Sequence, residues 1–94
     1  MFEKKDIIFS ETLGVCKVAE ITKLPSKNNE QILYYGLRSV YDNKKVSYIP
    51  VEHHQVLLRN LISYEEAKEL ESRMDQLSLA QQNEVNYVLQ NMHP

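Results

Sequence analysis

Few of the 94 residues could act as a nucleophile or ligate a metal: a single cysteine, Cys16, and three histidines, of which His53 and His54 are adjacent. A thiolate beside an imidazole is an activated nucleophile, but it also needs an acidic group to orient the imidazole and donors for an oxyanion. No segment of the chain supplies a recognisable set of these. Within a run of β-branched residues, Cys16 reads as a small buried apolar side chain. Adjacent histidines point apart on a strand or a helix, so His53 and His54 are poorly spaced to hold one ion and read as surface residues. The acids between Glu65 and Asp75 sit early in a capped helix, where negative charge is favourable without catalysis. Gly14 and Gly36 stand too far apart to form a phosphate-cradling loop. The sequence therefore predicts no enzyme and no cofactor.

Two constellations suit binding. Tyr34, Tyr35, Tyr41 and Tyr48 lie among Arg38, Lys44 and Lys45, a mixture that small barrels use to bind single-stranded nucleic acid, although strand alternation assigns about half of these rings to packing. The second constellation is an edge strand. Lys45-Val46-Ser47-Tyr48-Ile49 alternates with a period of two and stops at Pro50, and proline is tolerated at sheet margins rather than inside sheets. An edge carries unpaired amides and carbonyls to which a partner strand can add, and a tyrosine there offers contact area with few rotamers to freeze.

The elements that must position these residues fall into two parts. Asp6-Ile7-Ile8-Phe9-Ser10 and, opened by Gly14, Val15 to Lys23 read as strands, and Pro25-Ser26-Lys27-Asn28-Asn29 reads as a turn in which the asparagines tolerate positive φ. Gln31 to Val40 sets Leu33, Tyr35 and Leu37 against Ile32, Tyr34 and Arg38, with Gly36 a candidate bulge or bend. Tyr41 to Lys44 is a polar turn. Short strands without helical crossovers predict an antiparallel meander closed, or nearly closed, into a small barrel over residues 1–63. Glu52 to Asn60 reads as a short helical turn. Residues 64–94 read as helix: Ser63-Tyr64-Glu65-Glu66 fits a capping box, Ser78-Leu79-Ala80-Gln81 fits a second, and Val85, Val88, Leu89 and Met92 form an apolar stripe on one long helix or on the second of two. The fold class predicted is α+β, a small antiparallel β barrel followed by one or two amphipathic helices.

Composition narrows the functions. With 11 basic and 13 acidic side chains the net charge is −2, which lacks the basic excess behind sequence-independent DNA binding. The charge divides unevenly: residues 1–63 carry nine basic and seven acidic side chains, residues 64–94 two and six. A single cysteine excludes an internal disulfide and fits a reducing compartment. No apolar run is long enough for a transmembrane helix or a signal peptide, so the expectation is a soluble cytoplasmic protein.

In order and spacing the sequence resembles the CarD-type RNA polymerase-interacting domain shared by the CarD and CdnL regulators and transcription-repair coupling factor. The similar stretches are Met1-Phe2 to Phe9, Gly14 to Val18 with Ile21, Tyr34-Tyr35 with Leu37-Arg38 and Val40-Tyr41-Asp42, Tyr48 to Val51, and Leu58 to Glu66. The resemblance implies a Tudor-like barrel in a bacterial transcription regulator that docks on the lobe of the RNA polymerase β subunit by strand-to-strand contact. It places polymerase-facing residues near Lys23 and Leu24 and at Tyr48. Combined with the edge-strand argument, the candidate binding set is Lys23, Leu24, Tyr34, Arg38, Val46, Tyr48, Ile49 and Pro50.

The departures from the family are specific. Leu24 and Tyr48 stand where some members have arginine, so apolar or hydrogen-bonded contact replaces a salt bridge. Lys5 stands where a glycine is common, and Ser10-Glu11-Thr12-Leu13 lacks the frequent proline or glycine. Full-length regulators continue into a basic helical half that grips DNA with a tryptophan; this chain contains no tryptophan and its tail is acidic, so weak or no direct DNA binding is expected. The alternatives are a small nucleic-acid-binding barrel and a self-assembling module, a homodimer through the C-terminal helices.

Overall fold

The structure is a computed structural model that describes residues 1–92. Its elements are β1 (Ile7–Ser10), β2 (Gly14–Pro25), β3 (Gln31–Ser39), β4 (Val46–Pro50), β5 (Leu58–Asn60), α1 (Tyr64–Leu70), a 3-10 segment (Glu71–Gln76) and α2 (Leu79–Asn91). The fold is α+β. All strands pair antiparallel in one five-stranded sheet of order β4-β3-β2-β1-β5. The expected closure into a barrel does not occur: β4 and β5 form the two margins, and no ladder among the described residues joins them. With only three residues, β5 is too short to wrap the sheet back to β4, and the chain between the two is spent on bends.

The strand turns follow local chemistry. Gly14 adopts φ +74, which closes the β1–β2 turn. The buried Ser10 hydroxyl supports that turn by accepting from the amides of Thr12 and Leu13, which does the work a proline or glycine would otherwise do. Asn29, at φ 62, closes the β2–β3 turn, where the Ser26 amide donates to the Glu30 carbonyl at 2.7 Å. Lys5 also lies at positive φ, 80°, with its amide bonded to the Val18 carbonyl.

The main core lies on one face of the sheet, where Ile8, Cys16, Val18, Tyr35, Leu37, Ile49 and Leu58 are buried under Phe2, Leu13, Val51 and Val56. A register shift between Val18 and Glu20 decides which β2 residues join it. Continued alternation from Cys16 and Val18 would turn the Glu20 carboxylate inward. The extra residue, Ala19, turns Ile21 inward and Glu20 outward. The irregularity expected at Gly36 thus sits on the neighbouring strand, opposite it.

The helices form a hairpin, not one long helix. Leu77 is extended at φ −98, ψ 152, and Ser78 and Gln81 make the full capping box that starts α2. Ser63 caps α1 by accepting from the Glu66 amide, while the Glu66 carboxylate meets the Ser63 hydroxyl rather than its amide. Ala67, Val85 and Val88 are buried together against Leu61, Ile62, Leu70 and Leu89. Of the stripe Val85, Val88, Leu89 and Met92, the two valines are consumed within the chain and only Met92 is exposed. Segment 52–60 is also corrected: it holds bends followed by β5, with no helical turn. No helix of the described residues is long and apolar enough to cross a membrane.

Candidate functional site

The free margin at β4 is built by local sequence. The turn before it is held by the Asp42 carbonyl accepting from the Lys45 amide, by Asp42 Oδ1 accepting from the Lys44 amide, and by Arg38 Nη1 donating to the Asn43 carbonyl. Alternation in the ladder then decides which backbone groups are left over. The Ser39 amide donates to Lys45 and the Val51 amide to Leu33, so the odd-numbered residues of this segment point their backbone groups at β3. Val46, Tyr48 and Pro50 consequently turn theirs to the open side, leaving two amides and three carbonyls, since Pro50 has no N–H.

Register also sorts the eight candidate residues by face. The cross-strand rows Leu24–Ile32, Thr22–Tyr34–Pro50, Glu20–Gly36–Tyr48 and Lys17–Arg38–Val46 share the face opposite the main core. Leu24, Tyr34, Arg38, Val46, Tyr48 and Pro50 are therefore brought together there. Val46 is 41% and Tyr48 49% exposed. Two residues fall on the other face. Lys23 is exposed opposite Leu33, and Ile49, only 5% exposed, belongs to the core with its backbone groups turned to β3, so it is not available to a partner strand.

The centre of this face holds two residues outside the candidate set. The Tyr48 hydroxyl donates to Glu20 Oε1 at 2.8 Å, and Gly36 lies between them. A Cβ on Gly36 would come within 2.8 Å of Glu20 Cγ and 3.1 Å of Tyr48 Cε1, so glycine is what lets these side chains meet across β3. The hydrogen bond to Glu20 and its negative charge push the Tyr48 hydroxyl above the ordinary tyrosine range, against a smaller opposing effect of Arg38. Glu20 escaped the sequence reading because its orientation depends on the bulge. A mid-strand glycine within reach of an edge tyrosine was the available signal.

At the end of β4 the chain leaves the sheet through His53, at φ 57, and opens a groove of about 470 Å³ lined by Ile32, Leu33, Pro50, Glu52 and His53. Elsewhere the residues that suggested chemistry are dispersed. Cys16 is fully buried, and burial pushes its thiol up to about 11. His54 Nδ1 lies 2.7 Å from the Val56 carbonyl. Among the described residues no three His, Cys, Asp or Glu side chains gather as metal ligands. Of the four tyrosines, Tyr35 is core and bonds the Phe2 amide, and Tyr41 packs edge-on against Tyr87. The arrangement suits recognition of an extended chain.

Compared with models of protein families, with curated proteins and with solved structures, the chain matches none.

Proposed function

We propose that the chain is a non-enzymatic, CarD-like module of bacterial transcription that binds the lobe of the RNA polymerase β subunit by accepting one of its strands at β4, in the cytoplasm and without a cofactor. The observation that carries this reading is the open β4 margin, where the outward backbone groups of Val46 and Tyr48 adjoin their own exposed side chains. The positive φ of Lys5 adds support, because family members often carry glycine at that position. In this reading the sheet is a Tudor-like unit that stays open, and α2 is tied to β5, the margin away from β4, through Arg59 and Glu84.

The test is binding of the full chain to a purified β-lobe fragment, with Tyr48→Glu as the variant. Tyr48 is half exposed, so the fold should persist by circular dichroism, while affinity should fall by roughly tenfold or more, as for a central tyrosine of an interface. A folded variant that binds as tightly as the parent would overturn the reading. Binding of single-stranded nucleic acid to the same face ranks second: Tyr34, Tyr48, Lys17 and Arg38 share it, but the Glu20 carboxylate at its centre opposes phosphate. A gel shift at low salt that vanishes as salt rises would favour that alternative.

A further inference from the structure

The β4 margin is asymmetric along its length. At its start lie Lys44 and Lys45, both exposed, with Lys17 and Arg38 in the cross-strand row of Val46; the one carboxylate in that turn, Asp42, already accepts from the Lys44 amide. At its end the mainly apolar groove continues from Pro50, the last residue of the margin, to Ile32 and to Leu33, which is partly exposed, with Glu52 at its rim. A strand that pairs with Val46 and Tyr48 therefore meets excess positive charge at one end and an apolar recess beside a negative charge at the other. Its side chains opposite Val46, Tyr48 and Pro50 fall on the exposed face, because paired residues share a face. The one opposite Pro50 stands beside the recess.

Antiparallel pairing is favoured over parallel per residue, and here it forms four backbone hydrogen bonds with Val46 and Tyr48 and a fifth to the Pro50 carbonyl. Resting on the strand-addition reading above, we infer that β4 selects a partner strand by polarity. The strand runs antiparallel to β4, enters with an apolar side chain in the Ile32–Leu33–Pro50 groove, and leaves with a carboxylate beside Arg38 and Lys44. Continuity of the groove with the open margin and charge complementarity at the opposite end support this single occupant. Both ends act at partly exposed sites, so each sharpens specificity more than it adds affinity.

The experiment titrates the isotope-labelled full chain with the peptide Leu-Thr-Val-Thr-Val-Thr-Asp-Asp carrying a nitroxide at its amino end, read by NMR. The amides of Val46 and Tyr48 should shift on binding, and the nitroxide should broaden Ile32 and Leu33 while leaving Lys44 and Lys45 sharp. Ile32→Gln, at a half-buried position on the same face as Pro50, should leave the fold intact by circular dichroism and weaken binding roughly three- to tenfold, the loss expected from one partly buried apolar contact. Broadening at Lys44 and Lys45 instead, or undiminished binding by a folded Ile32→Gln, would overturn the polarity inference and leave strand addition standing. A peptide that shifts neither Val46 nor Tyr48 at any concentration would remove strand addition itself.

Discussion

Arg59 on β5 and Glu84 on α2 form a two-pronged ion pair, with Arg59 Nη1 and Nη2 donating to Glu84 Oε2 and Oε1 at 2.7 and 2.8 Å. Glu84 also accepts from the Ile62 amide at 3.0 Å, and the Arg59 guanidinium lies 4.2 Å above the centre of the Phe9 ring. One residue pair thereby ties the last helix, the shortest strand and the approach to α1 together. The pair is lopsided: the Arg59 side chain is 34% exposed and that of Glu84 only 2%.

Removal of the two partners should therefore cost unequal amounts. Arg59→Met strands a buried carboxylate and should destabilise by about 3 kcal/mol, whereas Glu84→Gln leaves an arginine that water can reach and should cost about 1–2 kcal/mol. Urea unfolding of the two variants checks the order. A larger loss for Glu84→Gln would contradict it.

A side chain at Gly36 should collide with the Tyr48–Glu20 contact. Gly36→Ala should cost about 1–2 kcal/mol, and most of that loss should disappear in a Glu20→Ala background, where the nearest colliding atom, Glu20 Cγ at 2.8 Å, is absent. A double-mutant cycle by thermal unfolding measures the coupling, and additive losses would place the strain elsewhere.

Relief of backbone strain should appear at Lys5. At φ 80 a lysine is strained where glycine is not, so Lys5→Gly should stabilise the fold by about 0.5–1 kcal/mol after the added freedom of the unfolded chain is offset. A variant less stable than the parent would show that the Lys5 side chain contributes more than its backbone costs.

Stability should decline at alkaline pH. The Cys16 thiol has a folded pKa raised by burial from 9.0 to about 11, so the neutral thiol contributes fully below pH 9, and that contribution is lost as pH rises towards 11. Tyr48, raised above 10.0 by its bond to Glu20, acts in the same direction. Urea midpoints measured from neutral to alkaline pH should fall, and Cys16→Val should flatten the slope. Thiol labelling at pH ~8 should be slow for the folded chain and fast in urea.

The helix caps give the last expectation. Ser78→Ala removes a capping box in which the Ser78 hydroxyl accepts from the Gln81 amide at 3.2 Å and the Gln81 side chain accepts from the Ser78 amide at 2.9 Å. The loss should be about 1 kcal/mol, with amide exchange fastest in the first turn of α2. Uniform exchange along α2 would mean that packing alone sets its start.

What could be read from sequence is what a few neighbouring residues decide. Alternation marks β3 and β4, Ser63 and Ser78 mark the helix starts, Asn29 marks the hairpin turn, and Pro50 marks the end of a strand at a margin. Each of these rests on a local steric preference or on a hydrogen bond spanning three or four residues. What lay beyond the sequence depends on pairing across long separations. Whether the sheet closes is decided by the length of β5 and the path from Pro50 to Leu58. Whether Glu20 faces solvent is decided by one extra residue opposite Gly36. Whether Val85 and Val88 face a second copy or the chain's own interior is decided by the docking of α2 through Glu84 and Arg59. In each case the side chain's period is the same in either outcome, and only the tertiary partner sets which face is buried. By itself the sequence determined an antiparallel sheet with a proline-stopped strand and a capped helical tail; the tertiary structure alone decided that the tail is two helices and that this strand stays open beside a tyrosine held by Glu20.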